Sequence, residues 1–412
     1  MIKRNIKNSI KDAVKHYPIV LISGPRQIGK STLLYNSFLS DGFSYISLED
    51  SLQYAMAKND PRTFLDIHPA PLIIDEAQKV PELFPELERI VNESRLKKGN
   101  KESNGLYILS GSQRQQLLAQ SKESLSGRVA ILDMNNLSLN EVYNRNDIPF
   151  SVDLKTISSR VNEYVINETE AFKYIVRGFF PVLYDDLEMK SSLFYSSYLT
   201  TYLEKDLKEL IAVNDELRFI NFLKLLASNT GEELIYDNYA NQVGISTNTI
   251  KSWVSALIKT GIIYLVAPYN EESIVKRIVK RQKMYFFDTG LAAYLCGMDS
   301  AETLQNSFLK GRFFETFIFN EIKKSYMNNG EMISLYYYRD TNQNEIDFVL
   351  LRNGTLSCIE IKTGQSFNAS YTRSFKQLNA TKYIKGQNAI ICTADKISII
   401  NDGTLILPIS SI

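Results

Sequence analysis

Hydrophobic positions along the chain follow two rhythms. Ile2, Ile6, Ile10 and Val14 recur at helical spacing and predict a short packing helix at the start. Continuous apolar runs come next: Ile19-Val20-Leu21-Ile22, the stretch Phe43 to Leu48 closed by Glu49-Asp50, Leu72-Ile73-Ile74 opening into Asp75-Glu76, and Leu106-Tyr107-Ile108-Leu109 closed by Ser110-Gly111-Ser112. Uninterrupted runs of this kind belong to strands buried on both faces, so an α/β region with a parallel sheet is expected first.

From Leu137 the pattern loosens. Residues 137–150 read as an exit from that region, and Phe172 to Leu183 combine a helix end with a Gly-Pro turn. Leu199, Leu203, Leu207 and Leu210 mark a charged amphipathic helix. Between 216 and 268 one helix ends at Leu223 to Ala227 and another begins at Tyr236 to Ala240. A turn at Gly244 and an N-cap at Ser246 or Thr247 then open a third. Lys283 to Tyr294 predict a strand and a helix start, Gly311 to Ile322 a helix carrying Glu315, and the segment from Tyr336 onward consecutive strands with an Asn353-Gly354 hairpin turn.

Composition narrows the functions. At 412 residues the chain should hold two to four domains. Lys and Arg number 47 against 46 Asp and Glu, a net charge of +1, so no global field draws it to nucleic acid or membrane and any basic surface is local. Three scattered cysteines, Cys296, Cys358 and Cys392, argue against a disulfide framework and a zinc site and fit a reducing, cytoplasmic setting. No leader-like apolar core is visible, and no apolar run approaches the ~18 residues of a membrane span. His16 and His68 are the sole histidines, which leaves catalysis to carboxylates, lysines and metal ions.

The densest chemistry lies in GPRQIGKST, Gly24 to Thr32, between an apolar strand and the helical pattern Leu33-Leu34-Tyr35. Gly24, Pro25, Arg26, Gln27, Ile28 and Gly29 let backbone N–H groups wrap a polyphosphate at a helix start. Lys30 supplies a point charge for the β- and γ-phosphates and Ser31 a hydroxyl for Mg²⁺, while Thr32 is a neighbour without an assigned task. Asp75 can reach the Mg²⁺ shell, and Glu76 can orient and deprotonate the attacking water. Ser112, after the Leu106–Leu109 run, is placed to touch the γ-phosphate or that water. A chance glycine turn and a strand end with two solvated acids are the bland alternatives.

In this order the elements resemble an AAA+-type ATPase, with GPRQIGKST as Walker A, LIIDEAQ as Walker B and YILSGS as a sensor strand. The resemblance implies ATP and Mg²⁺ as cofactors. It makes Arg128, in GRVAILDM, an arginine finger acting in trans within a homo-oligomer, with Arg114 a weaker choice and a helix-end surface arginine the alternative. Arg177 takes the place of a lid sensor. The segment VGISTNTIKSWVSALIKTGII resembles a winged helix-turn-helix presenting Asn248, Thr249, Lys251 and Ser252, with Lys276, Arg277, Lys280, Arg281 and Lys283 as a basic ribbon for a phosphate backbone. Asp347, Glu360 and Lys362, with Glu315 on the preceding helix and Glu345 as an extra acid, look like the PD-(D/E)xK arrangement of restriction endonucleases, in which Asp347 and Glu360 would bind a metal.

GKS, IIDEAQ, GFFP, YFFDTGL, EIDFVL and EIKTG together are similar to a large prokaryotic ATPase family of poorly defined function, although Gly178-Phe179-Phe180-Pro181 departs from the double glycine expected before that proline. The expected architecture is an AAA+-like P-loop ATPase domain over 1–140, a helical lid or linker over 141–215, a winged helix over 216–284 and a restriction-endonuclease-like α/β domain over 285–412. The sequence therefore points to a cytoplasmic Mg²⁺-dependent ATPase acting on duplex or branched DNA as an oligomeric motor or remodeller. A nucleotide-dependent switch in defence or signalling with a protein partner, and an ATP-gated metal-dependent DNA nuclease, are the alternatives.

Overall fold

The four apolar runs become strands of one parallel sheet. The computed structural model describes residues 2–112, 117, 125–158, 164–202, 216–271, 281–365, 367–378 and 381–412. Arg114, Leu203, Leu207, Leu210, Lys276, Arg277 and Lys280 lie outside them. By packing, the chain divides into two units: Met1–Asp147 with Lys259–Gly261 and Met327–Glu331, and the remainder.

In the first unit, helix α1 (Ile6–His16) buries Ile6 and Ile10 of the predicted stripe. Strand β1 (Ile19–Ser23) leads into α2 (Lys30–Phe38), followed by β2 (Ser44–Ser47), α3 (Ser51–Asn59), α4 (Pro61–Ile67), β3 (Leu72–Asp75), α5 (Leu83–Lys98), β4 (Tyr107–Gly111) and β5 (Val129–Asp133). The strand order is β2-β3-β4-β1-β5, all parallel. Register aligns the carboxyl ends, Ser23 beside Gly111 and Asp133, and Ser47 beside Asp75. Everything that follows β1, β3 and β4 therefore emerges along one edge, where ligands of open α/β sheets bind. Leu83, Phe84, Leu87 and Val91 of α5 cover one face with Leu72, Ile74 and Leu109.

The second unit contains α6 (Glu168–Arg177), α7 (Val182–Asp185), α8 (Ser191–Tyr202), α9 (Glu216–Ser228), α10 (Tyr236–Val243), α11 (Thr247–Lys259), β6 (Ile263–Val266), β7 (Lys283–Phe286), α12 (Thr289–Leu295) and α13 (Lys310–Met327). Trp253 of α11 packs edge-on to Phe219 of α9, with ring centroids 5.0 Å apart. β6 and β7 form an antiparallel pair, so the boundary expected between 284 and 285 falls inside a paired strand. A seven-stranded mixed sheet follows, built from β8 (Leu335–Arg339), β9 (Glu345–Arg352), β10 (Thr355–Ile361), β11 (Ile384–Lys385), β12 (Ala389–Cys392), β13 (Ser398–Ile399) and β14 (Leu405–Pro408). β9 and β10 are the predicted hairpin, turned by Asn353 and Gly354 in left-handed conformation, φ 51° and 75°. Among the described residues, no helix is long and apolar enough to cross a membrane.

Two of the strings singled out in the sequence meet here. Asp288, from YFFDTGL, is fully buried and caps α12 through the Leu291 N–H at 2.8 Å. It also accepts from the Phe179 N–H at 2.8 Å and from the Tyr195 hydroxyl at 2.7 Å, which joins GFFP to it. Phe180 packs among Phe194, Tyr198 and Phe287. Gly178 and Gly290 make this close approach feasible, since a Cβ on Gly290 would lie 2.3 Å from the Tyr195 hydroxyl and 2.7 Å from Gly178 Cα. Gly290→Ala is expected to destabilise the protein by about 1 to 3 kcal/mol through overpacking, read as a lowered urea midpoint, whereas Gly297→Ala meets no neighbouring atom within 4 Å but sits at φ 69° and should lose less.

Candidate functional site

The loop between β1 and α2 has the shape its glycines predict. A Cβ on Gly24 would sit 2.2 Å from the Met134 carbonyl oxygen, so the backbone passes too close for any side chain. Gln27 and Gly29 are left-handed, at φ 61° and 88°, which turns successive N–H groups toward the concavity. Lys30 is buried and its ammonium donates to the carbonyls of Gly24 at 2.8 Å and Pro25 at 2.7 Å, which holds the positive charge inside the loop. Ile28 is buried, while Thr32 and Gln27 are exposed and Arg26 is half-buried. A residue that the sequence did not flag completes the support. Arg4 donates to the carbonyls of Ile28 and Asn135, both at 2.6 Å, and pairs with buried Glu141 at 3.2 Å. Burial pushes the Glu141 carboxyl up, opposed by Arg4.

Asp75 ends β3 buried and receives three hydroxyls: Ser31 at 2.6 Å, Tyr45 at 2.7 Å and Ser110 at 2.5 Å. Burial, and then Asp75 itself, raises the Tyr45 phenol, so it stays protonated and donates. Ser110, which the sequence reading does not single out, is the β4 residue that meets Asp75, while Ser112, expected to touch the γ-phosphate or the attacking water, is buried with its hydroxyl meeting no partner among the described residues. Glu76 takes a left-handed backbone, φ 55°, a conformation that costs a non-glycine residue about 1 kcal/mol or more and concentrates at functional sites. The Gln78 side-chain amide donates to the Glu76 carboxylate. Gln78 is itself wedged against β4, since a Cβ on Gly111 would lie 1.9 Å from Gln78 Oε1.

Arg128 stands just before β5, at the amino end of the sheet, whereas the phosphate loop follows the carboxyl end of β1. Five residues of strand separate the two ends, roughly 16 Å. Its guanidinium is engaged by α5, with Nε on Asn92 at 2.9 Å and Nη2 on Glu88 at 3.3 Å. Arg177, read as a lid sensor, is spent elsewhere: it donates to the carbonyls of Leu183 at 3.0 Å and Leu187 at 3.1 Å, closing the end of α7.

In the second unit, Gly244 (φ 72°) ends α10 and the Ser246 hydroxyl caps α11 by accepting from the Thr249 N–H at 3.1 Å. The buried face of α11 carries Ile250, Trp253, Val254 and Leu257, while Asn248, Lys251, Ser252 and Ser255 are exposed. Of the basic ribbon, Arg281 is exposed beside Glu233 at 3.8 Å. Lys283 contradicts its assignment to a phosphate backbone. It is 3% exposed, 2.6 Å from Glu345 and 3.1 Å from Glu315, because β7 points it into the unit.

The residues of the nuclease-like pattern do converge. Asp347 Oδ2 accepts the Ile361 N–H at 2.7 Å where the β9–β10 ladder ends. Lys362 reaches Glu360 at 2.6 Å and Asp347 at 4.0 Å, and Glu315 accepts from the Tyr285 hydroxyl at 2.6 Å. Burial and then Asp347 push Glu360 up to about 8, against the pull of Lys362; burial, opposed by Lys283, raises Glu315 to about 7. Burial would discharge Lys283, but Glu315, Tyr285, Asp347 and Glu345 hold it charged. Among the described residues, no group of three or more His, Cys, Asp or Glu side chains is arranged to hold a metal ion. Lysines stand between the acids.

Residues 16–143 match the family model described as an AAA domain, and residues 168–302 and 310–412 match two models described as domains of unknown function, DUF8612 and DUF4143. Uncharacterized proteins of Mycobacterium tuberculosis and Mycobacterium bovis are each 24% identical over 375 residues, covering 91% of this chain and 76% of theirs. Among solved structures, a Walker-type ATPase of Pyrococcus abyssi is similar at 17% identity and a TM-score of 0.44 over 70% of this chain and 94% of its own. The RuvB Holliday junction branch migration motor of Thermotoga maritima is similar at 15% and 0.31, over 64% and 89%. The AAA-domain match falls on the first unit, over its five-stranded parallel sheet and the loop between β1 and α2.

The raised carboxyls of the second unit have a linkage consequence. Glu315 and Glu360 titrate above the unfolded value of ~4.3, so the folded chain binds more protons, and the stability they contribute is lost as pH rises through about 7 and about 8. The melting temperature should fall between pH 6 and pH 9, and Glu360→Gln, which stays neutral, should flatten that fall. Equal slopes in both proteins would show that Glu360 is ionised throughout.

Proposed function

We propose that this protein hydrolyses ATP with Mg²⁺ and that DNA is its client. The cluster of Lys30, Ser31 and Asp75 around a glycine-shaped loop carries the ATPase part of this reading. Backbone N–H groups of the loop and the Lys30 ammonium would receive the phosphates once Lys30 leaves its two carbonyls. Ser31 and Asp75, hydroxyl beside carboxylate at 2.6 Å, are a hard-oxygen pair of the kind Mg²⁺ takes. When bound, the ion would neutralise charge between the β- and γ-phosphates. Glu76, adjacent to Asp75, would accept the proton of the attacking water, and the Ser112 hydroxyl, without a partner among the described residues, would be a donor to it or to the γ-phosphate. Arg128, at the far end of its own sheet, would act on a neighbouring copy.

The DNA part rests on α11, whose exposed face of Asn248, Lys251, Ser252 and Ser255 lies opposite its packed face, as in a helix that reads a groove. One observation favours the switch reading as a second choice. Gln78 holds the Glu76 carboxylate, which suits a site that turns over slowly until a partner releases it.

ATP hydrolysis measured with Mg²⁺, alone and with single-stranded, duplex and four-way-junction DNA, tests both. The wild type should hydrolyse ATP, Glu76→Gln should lose about 10²-fold or more, and DNA should raise the rate in a manner that Lys251→Glu weakens. A rate that depends on Glu76 but ignores every DNA removes the DNA client and leaves the switch. In the same assay Gln78→Leu should raise basal turnover several-fold, about 1 kcal/mol of released restraint; a fall would make Gln78 a support of the catalytic geometry.

A further inference from the structure

The nuclease resemblance implies a divalent metal among Glu315, Asp347 and Glu360, and the residues around these acids do not fit one. Four carboxylates, Glu315, Glu345, Asp347 and Glu360, gather in this part of the second unit, and three cations are already placed among them. Lys362 lies 2.6 Å from Glu360, Lys283 lies 3.1 Å from Glu315 and 2.6 Å from Glu345, and Arg339 lies 3.9 Å from Glu345. We propose that the Lys283 ammonium is the resident cation of this centre, that it excludes a divalent ion, and that the C-terminal sheet is a metal-independent module.

Three observations carry this. Lys283 is 3% exposed, so its charge has no route to solvent and must be answered by the acids; a divalent ion beside it would face an unscreened like charge. Its backbone is pinned on both sides. β7 pairs with β6, and the Gly231 and Leu234 N–H groups donate to the carbonyls of Met284 and Gln282 at 2.7 and 2.8 Å, so the strand that aims Lys283 at the acids is fixed. The carboxylate oxygens are also largely committed. Glu315 Oε1 takes both Tyr285 and Lys283, Asp347 Oδ2 takes the Ile361 N–H, and Glu360 Oε1 takes Lys362. Glu360 Oε2 is buried with no partner among the described residues, but the Lys283 and Lys362 ammonium groups already answer the acids around it, and a divalent ion would have to displace that charge. The inference is independent of the ATPase reading.

Its test is Mn²⁺ binding to the full chain without nucleotide, by calorimetry and by Mn²⁺-dependent thermal shift, for wild type, Lys283→Ala, and Lys283→Ala with Asp347→Asn. Wild type should show no Mn²⁺ effect that Asp347→Asn changes. Lys283→Ala should bind Mn²⁺ about tenfold or more tightly than wild type as the competing charge is removed, and the added Asp347→Asn should abolish the gain. Lys283→Met, of similar length and uncharged, serves should the alanine variant not fold. Wild-type Mn²⁺ binding, or Mn²⁺-dependent DNA cleavage, that Asp347→Asn abolishes would overturn the proposal, as would a folded Lys283 variant that takes up no Mn²⁺.

Discussion

A single carboxylate sets the carboxyl edge of the first unit's sheet. Asp75 is buried at the end of β3, and a buried charge without partners costs several kcal/mol, so it must collect donors. It collects them from three separate elements: Tyr45 of β2, Ser31 of α2 and Ser110 of β4. Apolar packing between these strands and α5 would tolerate small slips of one element past another. Three short hydrogen bonds converging on one group do not, and they fix the helix after the phosphate loop relative to the strand bearing Glu76. The floor of the loop is set from the opposite direction by Arg4, whose own charge is answered by Glu141.

The second unit solves the same problem twice with opposite signs. Asp288 accepts from N–H and O–H donors, and its partners on Phe179, Tyr195 and Leu291 knit three chain segments into one packed node. Lys283 is answered by full carboxylates, at the cost of crowding acids that repel one another and hold protons above their ordinary range. The second arrangement ties stability to pH.

Much of this was legible in the residues. Continuous apolar runs, a glycine-rich turn and paired acids after a strand sufficed for the parallel sheet and for the placement of Lys30, Ser31, Asp75 and Glu76 at its carboxyl edge, because their signals are local and repeat with the period of the element. Ser110, Tyr45, Arg4 and Gln78 were not legible. Each acts through a partner between 2 and 137 residues away, and an isolated serine or tyrosine in a strand carries no mark of the carboxylate it will meet. Lys283 misled for a related reason: charge density along the chain says nothing about which way a strand points its lysine. Arg177 misled because a helix-end arginine has nearby carbonyls to satisfy before any distant ligand.

The wedge between Gln78 and Gly111 reaches beyond this one molecule. The acid at 76 is held by an amide that fits only because position 111, on the neighbouring strand, has no side chain. A lineage that gained even a methyl group at 111 would have to shorten residue 78 in the same step, or else push its amide off the acid. The two positions should therefore drift together among relatives, as a matched pair that sets how firmly the acid at 76 is held.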